Sequence, residues 1–238
     1  MKVRCDLHIH SALSPCGDMD MTPNNIVNMA VINGLDIIAV TDHNSIGNAE
    51  AVMSASYGKP LHVIPGMELE TAEEVHFVCL FESLGDAQTF SEFLKPYFLP
   101  IENRVEIFGE QAYMNEQDEI TGYENQLLTT ALSLSIYDAA PVVQSMNGII
   151  IPAHVNKDAY SIISNLGSVP EDLGFAAVEL SRHISRDDAL KKWPDLSRFY
   201  SVTSSDAHYL WDIYEDEGTI DLEEATPACL LSTLRKGI

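Results

Sequence analysis

Short apolar runs that end beside histidines and carboxylates restrict this chain more than any other feature. The runs are residues 3–8, 36–41, 61–65, 75–81, 148–152, 176–180 and 199–204. Each is strand-sized, and runs such as 36–41, 75–81 and 148–152 are too apolar for a strand with one wet face, so both faces must be covered. Helical signals lie between them. Thr22-Pro23 supplies an N-cap and a proline at the first helical position. Ile26, Val27, Ala30 and Val31 give that helix its apolar stripe, and Gly34 ends it. Further helices are read at about 47–57, around Phe90, Phe93, Leu94 and Tyr97, across 159–166, and from Pro227 through Leu234. Buried strands alternating with helices predict an α/β chain with a parallel sheet. The stretch 100–125 breaks the rhythm. Glu106-Ile107-Phe108 and Glu119-Ile120-Thr121 are read as a hairpin around 115–118, an excursion from one domain spanning 1–238. Residues 105–156 carry seven acids and no Lys or Arg, so this part is either a lid or a solvated acidic flap.

His8 and His10 end the first run, His43 follows the second, Glu68 the third, His154 the fifth and His208 the last. In a parallel sheet or barrel these ends share one face, so residues distant in sequence meet in one pocket. Alternate strand residues point the same way, so His8-x-His10 can address one metal, and Asp206-x-His208 repeats the spacing with a carboxylate. Imidazole and carboxylate donors together suit Zn, Mn or Fe. Each pair alone is an ordinary polar strand edge. The whole set is not, because burying so many ionisable groups together without a cation is costly.

Thirteen basic against 36 acidic residues leave a net charge of −23, which argues against a nucleic-acid coat protein and makes duplex nucleic acid an unexpected partner. The four scattered cysteines, the absence of a signal-peptide core at the N-terminus and the lack of a membrane-length apolar run predict a cytoplasmic protein without a membrane partner. Oligomeric state is not legible.

The motifs Asp6-Leu7-His8-Ile9-His10-Ser11, Thr41-Asp42-His43-Asn44, Gly66-Met67-Glu68, Val75-His76-Phe77, Pro152-Ala153-His154 and Ser205-Asp206-Ala207-His208 resemble, in order, those of the PHP (polymerase and histidinol phosphatase) family of metal-dependent phosphoesterases. The resemblance implies a distorted (β/α)7 barrel of parallel strands, with two or three divalent metals at the C-terminal strand ends. It implies that His8, His10, Glu68 and Asp206 hold one metal and a metal-activated hydroxide. Glu68 would bridge to a second metal on His76 and His154, and Asp18, His43 and His208 would hold a third. Asp18 is matched by counting back from Thr22-Pro23. Asp20 and Cys16 are alternatives, because Pro15-Cys16-Gly17 interrupts the family spacing. His76 is read as a ligand rather than a half-buried strand histidine, and His62 as structural or exposed. Asp6 and Asp42 are read as groups that orient ligands.

Arg182, His183 and Lys157 are the candidate substrate-binding residues, with Arg182 as a phosphate clamp. The expected activity is metal-dependent hydrolysis of a small phosphate ester, either a monoester or a short nucleotide. A nuclease acting on single strands, a carbon–nitrogen hydrolase and a metal-loaded binding protein without turnover are the alternatives. The nuclease would need a basic track and stacking aromatics.

Overall fold

The computed structural model describes residues 1–215 and 218–237. Its strands are β1 (Lys2–Ile9), β2 (Ile37–Val40), β3 (His62–Glu70), β4 (His76–Leu80), β5 (Ala112–Met114), β6 (Ile120–Tyr123), β7 (Ile149–Pro152), β8 (Ala177–Ser181), β9 (Tyr200–Ser204) and β10 (Thr219–Asp221). The helices are α1 (Pro23–Ile32), α2 (Ala49–Ala55), α3 (Leu84–Leu94), α4 (Val105–Phe108), α5 (Ile136–Ser145), α6 (Ile162–Leu166), α7 (Arg186–Lys192) and α8 (Pro227–Lys236). Thr22 caps α1 by accepting the Asn25 N–H.

Six strands form one sheet in the order β10-β1-β2-β3-β4-β7, and β8 pairs in parallel with β9. The sheet curls toward this pair. Ile9 bridges Ala207 beyond β9, and the Val155 N–H donates to the Glu179 carbonyl of β8 at 2.9 Å. The fold is α/β, but the barrel of seven parallel strands implied by the motifs does not form among the described residues. β1, β2 and β3 run parallel, whereas β4 is antiparallel to both β3 and β7, and β10 is antiparallel to β1. The reason is local. Only residues 71–75 join β3 to β4, with Thr71 N–H donating to the Val75 carbonyl, and a parallel crossover needs a dozen residues or more. His76 therefore begins its strand, beside the end of β3.

Both sheet faces are dry. The inner layer gathers Cys5, Leu7, Ala39, Ile64, Val78, Ile151, Ala177 and Val202 against Leu230, Leu231 and Leu234 of α8. Outside, Met67, Phe77 and Cys79 pack against α3 and α5, while Ile38 and Val40 meet α1 and α2. Strand alternation then sets the chemistry. On β3, β4 and β8 the parity that sends Ile64, Val78 and Ala177 inward also sends Glu68, His76 and Glu179 inward, toward one end.

The hairpin in the excursion forms, but from β5 and β6, displaced from the expected 106–108. Those residues make the single turn α4, which ends at Gly109 (φ +99°), where any Cβ would meet the Pro15 carbonyl at 2.4 Å. The Asn115 side chain shapes the reversal by accepting the Gln117 and Glu119 N–H groups. Asn48 fastens the hairpin to the core, with Nδ2 on the Ala112 carbonyl and Oδ1 accepting the Met114 N–H.

Gly66 lets β3 and β4 close up, since a Cβ there would lie 2.7 Å from the Cys79 carbonyl oxygen. Gly66→Ala is expected to destabilise the fold by about 1–3 kcal/mol. Urea unfolding checks this as a lower midpoint at unchanged slope.

Candidate metal centre

Glu68 is the hub of the inner end. Its carboxylate is 1% exposed and lies 3.3 Å from His8 Nε2, 3.4 Å from His10 Nε2, 3.0 Å from His43 Nδ1, 2.9 Å from His76 Nδ1 and 3.2 Å from His154 Nε2. Asp206 closes the ring at 3.5 Å from His8 and 3.4 Å from His10. His208 stacks on His10 with ring centroids 4.2 Å apart. Three sets of donor atoms converge: His8, His10, Glu68 and Asp206; His43, Glu68 and His76; and His10, His43 and His208.

Outer partners fix the tautomers. His8 Nδ1 faces both oxygens of Glu179, at 3.1 and 3.2 Å, so Nδ1–H donates there and Nε2 keeps its lone pair. Asp42 accepts the Ser11 N–H and the hydroxyls of Ser11 and Ser14. With its proton committed to Asp42, Ser14 Oγ accepts from His10 Nδ1 at 2.9 Å, which again leaves Nε2 bare. The two bare Nε2 atoms then sit 3.2 Å apart. Two lone pairs repel at that range, whereas two ligands on one tetrahedral Zn are about 3.3 Å apart by the geometry of ~2.05 Å bonds. His154 Nδ1 is a buried atom without a hydrogen-bond partner. The residues present fit a group of divalent cations.

The electrostatics agree. Burial opposes an ionised Glu68, but the imidazoles around it, His76 foremost, hold its carboxyl well below the usual range. Burial likewise disfavours charge on His76, but Glu68 overcomes it and lifts the ring to about 9. Burial takes His43 well below its ordinary value and, with His10 nearby, takes His208 down to about 4. The hub carboxylate therefore requires positive charge around it, which imidazole protons or bound cations can supply.

Backbone strain marks the same place. His154 (φ +30°), Asp206 (φ +55°) and Tyr160 (φ +54°) occupy the left-handed region that bulky side chains avoid. The Tyr160 ring stacks on His76 at 4.7 Å, and its carbonyl accepts the His76 N–H. Asp6 orients the Asp206 loop by accepting the Ser205 and Tyr214 N–H groups.

Other expected residues fall differently. The Lys157 ammonium reaches Asp206 Oδ2 at 2.5 Å. Arg182 is drawn to Asp212, with Nη2 on Oδ1 at 2.8 Å, and His183 is exposed. Asp18 is tied by its backbone N–H to the His208 carbonyl, but its carboxylate accepts the Asp20 N–H and joins none of the three donor sets. Cys16 and Asp20 are exposed and also lie outside those sets, and His62 is exposed at the start of β3. Glu179 was missed, although a lone carboxylate inside an apolar run (Ala177-Val178-Glu179-Leu180) signals a buried partner. Tyr160 left no such signal.

Glu179→Gln is expected to loosen the His8 tautomer and weaken divalent-metal affinity about 10–100-fold. Competition against a chromogenic chelator measures this; unchanged affinity would mean that Glu179 does not act through His8.

A PHP domain family model matches residues 6–166. The chain is 25% identical over 228 residues to a PolC-type DNA polymerase III from Caldanaerobacter subterraneus subsp. tengcongensis, covering 84% of the chain but only 16% of the polymerase. The lesion-specific endonuclease Q of Pyrococcus furiosus superposes over 99% of the chain and 56% of its own, with a TM-score of 0.72 at 18% identity. A second endonuclease Q structure, with a 27-mer duplex bearing an abasic lesion at the active site, gives a TM-score of 0.69, likewise at 18% identity. A protein of Bifidobacterium adolescentis described as a metal-dependent phosphoesterase matches at 0.62 and 15% identity, over 98% of this chain and 96% of its own. These likenesses correct one expectation. Net charge does not rule out duplex nucleic acid for such a domain, because phosphate contact is made locally and bound cations can reverse the local sign. On the matched two-thirds of its length, the chain belongs to the PHP domain family.

Proposed function

We propose that this chain hydrolyses phosphoester bonds at a centre of two or three divalent cations, of the Zn, Mn or Fe class. The convergence of five imidazoles on Glu68 carries this reading. His8, His10, Glu68 and Asp206 would hold one cation, Glu68 with His76 and His154 a second, and His43 with His208 a third. Asp18, whose Oδ1 accepts the Asp20 N–H, would complete the third only by turning its carboxylate into that set. Cations so placed would lower the pKa of a water and neutralise charge growing on the phosphoryl oxygens. The chain's own work is orientation. Glu179 and the Ser14–Asp42 pair keep lone pairs aimed inward, and buried apolar residues behind the ligands exclude bulk water. Lys157, with its side chain 40% exposed beside Asp206, is placed to hold a phosphoryl oxygen.

A small phosphate ester, either a monoester or a short nucleotide, suits a site where Lys157 is the cation against the ligand set and Arg182 is engaged by Asp212. A nucleic-acid strand is the second reading, favoured by the likeness to endonuclease Q and the polymerase relative.

Protein reconstituted with Mn, Zn or Fe is expected to release phosphate from a monoester panel or to cut an oligonucleotide. His10→Ala and Asp206→Ala are expected to lower kcat at least about 10³-fold with the circular dichroism spectrum unchanged. Full activity in either variant would remove the assigned centre.

A further inference from the structure

We propose that Tyr209 and Trp211 form a stacking platform for a nucleobase attached to the phosphate that the metal centre receives. The proposal rests on the phosphoester reading and adds the substrate class. The two rings lie parallel, with centroids 4.9 Å apart at 14°. Trp211 is 75% exposed, and Tyr209 is also exposed. Most of their loop is held firmly. His208 accepts the Asp18 N–H, Asn33 Nδ2 donates to the Ile213 carbonyl, the Tyr214 hydroxyl donates to the Ser204 carbonyl, and Ile213 and Tyr214 are buried. A loop so anchored that leaves its two largest rings in water presents them to something.

The position fits a ligand that enters the metal centre. Tyr209 directly follows His208, and Trp211 lies three residues on, so its Cα is within about 11 Å of the His208 Cα. Two adjacent residues at the end of β8 hold the flanking pieces. The amide and hydroxyl of Ser181 bond the Asn156 side chain, which fixes the loop carrying Lys157. Arg182 holds Asp212, at the end of the aromatic turn. Asp206, the ligand touched by Lys157, lies between these segments in the chain and on the same strand ends.

The ring chemistry favours a nucleobase. Two exposed, nearly parallel rings offer a π-face and no compact charge, so they suit a flat neutral base, and stacking tolerates any base.

The chain has two tryptophans, so in Trp193→Phe the indole fluorescence excited at 295 nm comes from Trp211 alone. Adenosine 5′-monophosphate is expected to quench it saturably, while ribose 5-phosphate, with the same phosphate and no base, leaves it unchanged. Tyr209→Ala in that background is expected to raise the Kd for the nucleotide about tenfold. Trp211→Ala is expected to lower the ratio of kcat/KM for the nucleotide to that for glycerol phosphate by about tenfold. Tighter quenching by single-stranded oligonucleotide would assign the base to a strand, and equal quenching to a free nucleotide; both support the platform. Equal effects of nucleotide and ribose 5-phosphate, or an unchanged kcat/KM ratio, would overturn it. Base-dependent quenching without any hydrolysis would instead remove the phosphoester reading and leave the platform standing.

Discussion

The burial of the Glu68 carboxylate is the constraint on which the rest of the site depends. An ionised carboxylate at 1% exposure is stable only among positive or hydrogen-bonding groups. Five imidazoles from four strand ends supply that setting, and each must be aimed. Glu179 aims His8, and Ser14 with Asp42 aims His10. Strain at His154 and Asp206 is tolerated because the packed sheet beneath holds the backbone in place. The apolar interior, with α8 closing its far end, gives this polar cluster a rigid support.

Much of this was legible because buried strands carry a strict period. His8, His10 and Glu68 could be placed on one face from alternation and strand-end convergence alone. β4 departs from that pattern by running antiparallel to β3 and β7. Convergence at C-terminal ends presumes parallel strands, but the five-residue turn before His76 forces an antiparallel one. His76 therefore reaches the same face from the opposite end of its strand. The motif resemblance singled out His76, but the all-parallel barrel that it also implied is not what the strand pairing shows.

What escaped the sequence were contacts between distant polar groups. The pairing of Glu179 with His8 spans 171 residues, and Tyr160 meets His76 only through a left-handed backbone kink. Arg182 has the position of a phosphate clamp by sequence, yet Asp212, thirty residues away, draws it aside. Net charge misled in a similar way. It is a sum over the whole surface, whereas binding of a phosphate depends on a few groups at one strand end. Residues 106–108 turn once as α4 instead of forming a strand, so the hairpin is built from β5 and β6.

The central claim is that the cluster around Glu68 is a cation site. Elemental analysis of untagged protein, dialysed against metal-free buffer after loading with Zn or Mn, tests it most directly. Two or three equivalents of metal per chain, falling by at least one in Glu68→Gln, is the result this account predicts. A chain that retains no divalent metal after loading would contradict it, and the buried histidines would then be a structural network stabilised by their own protons.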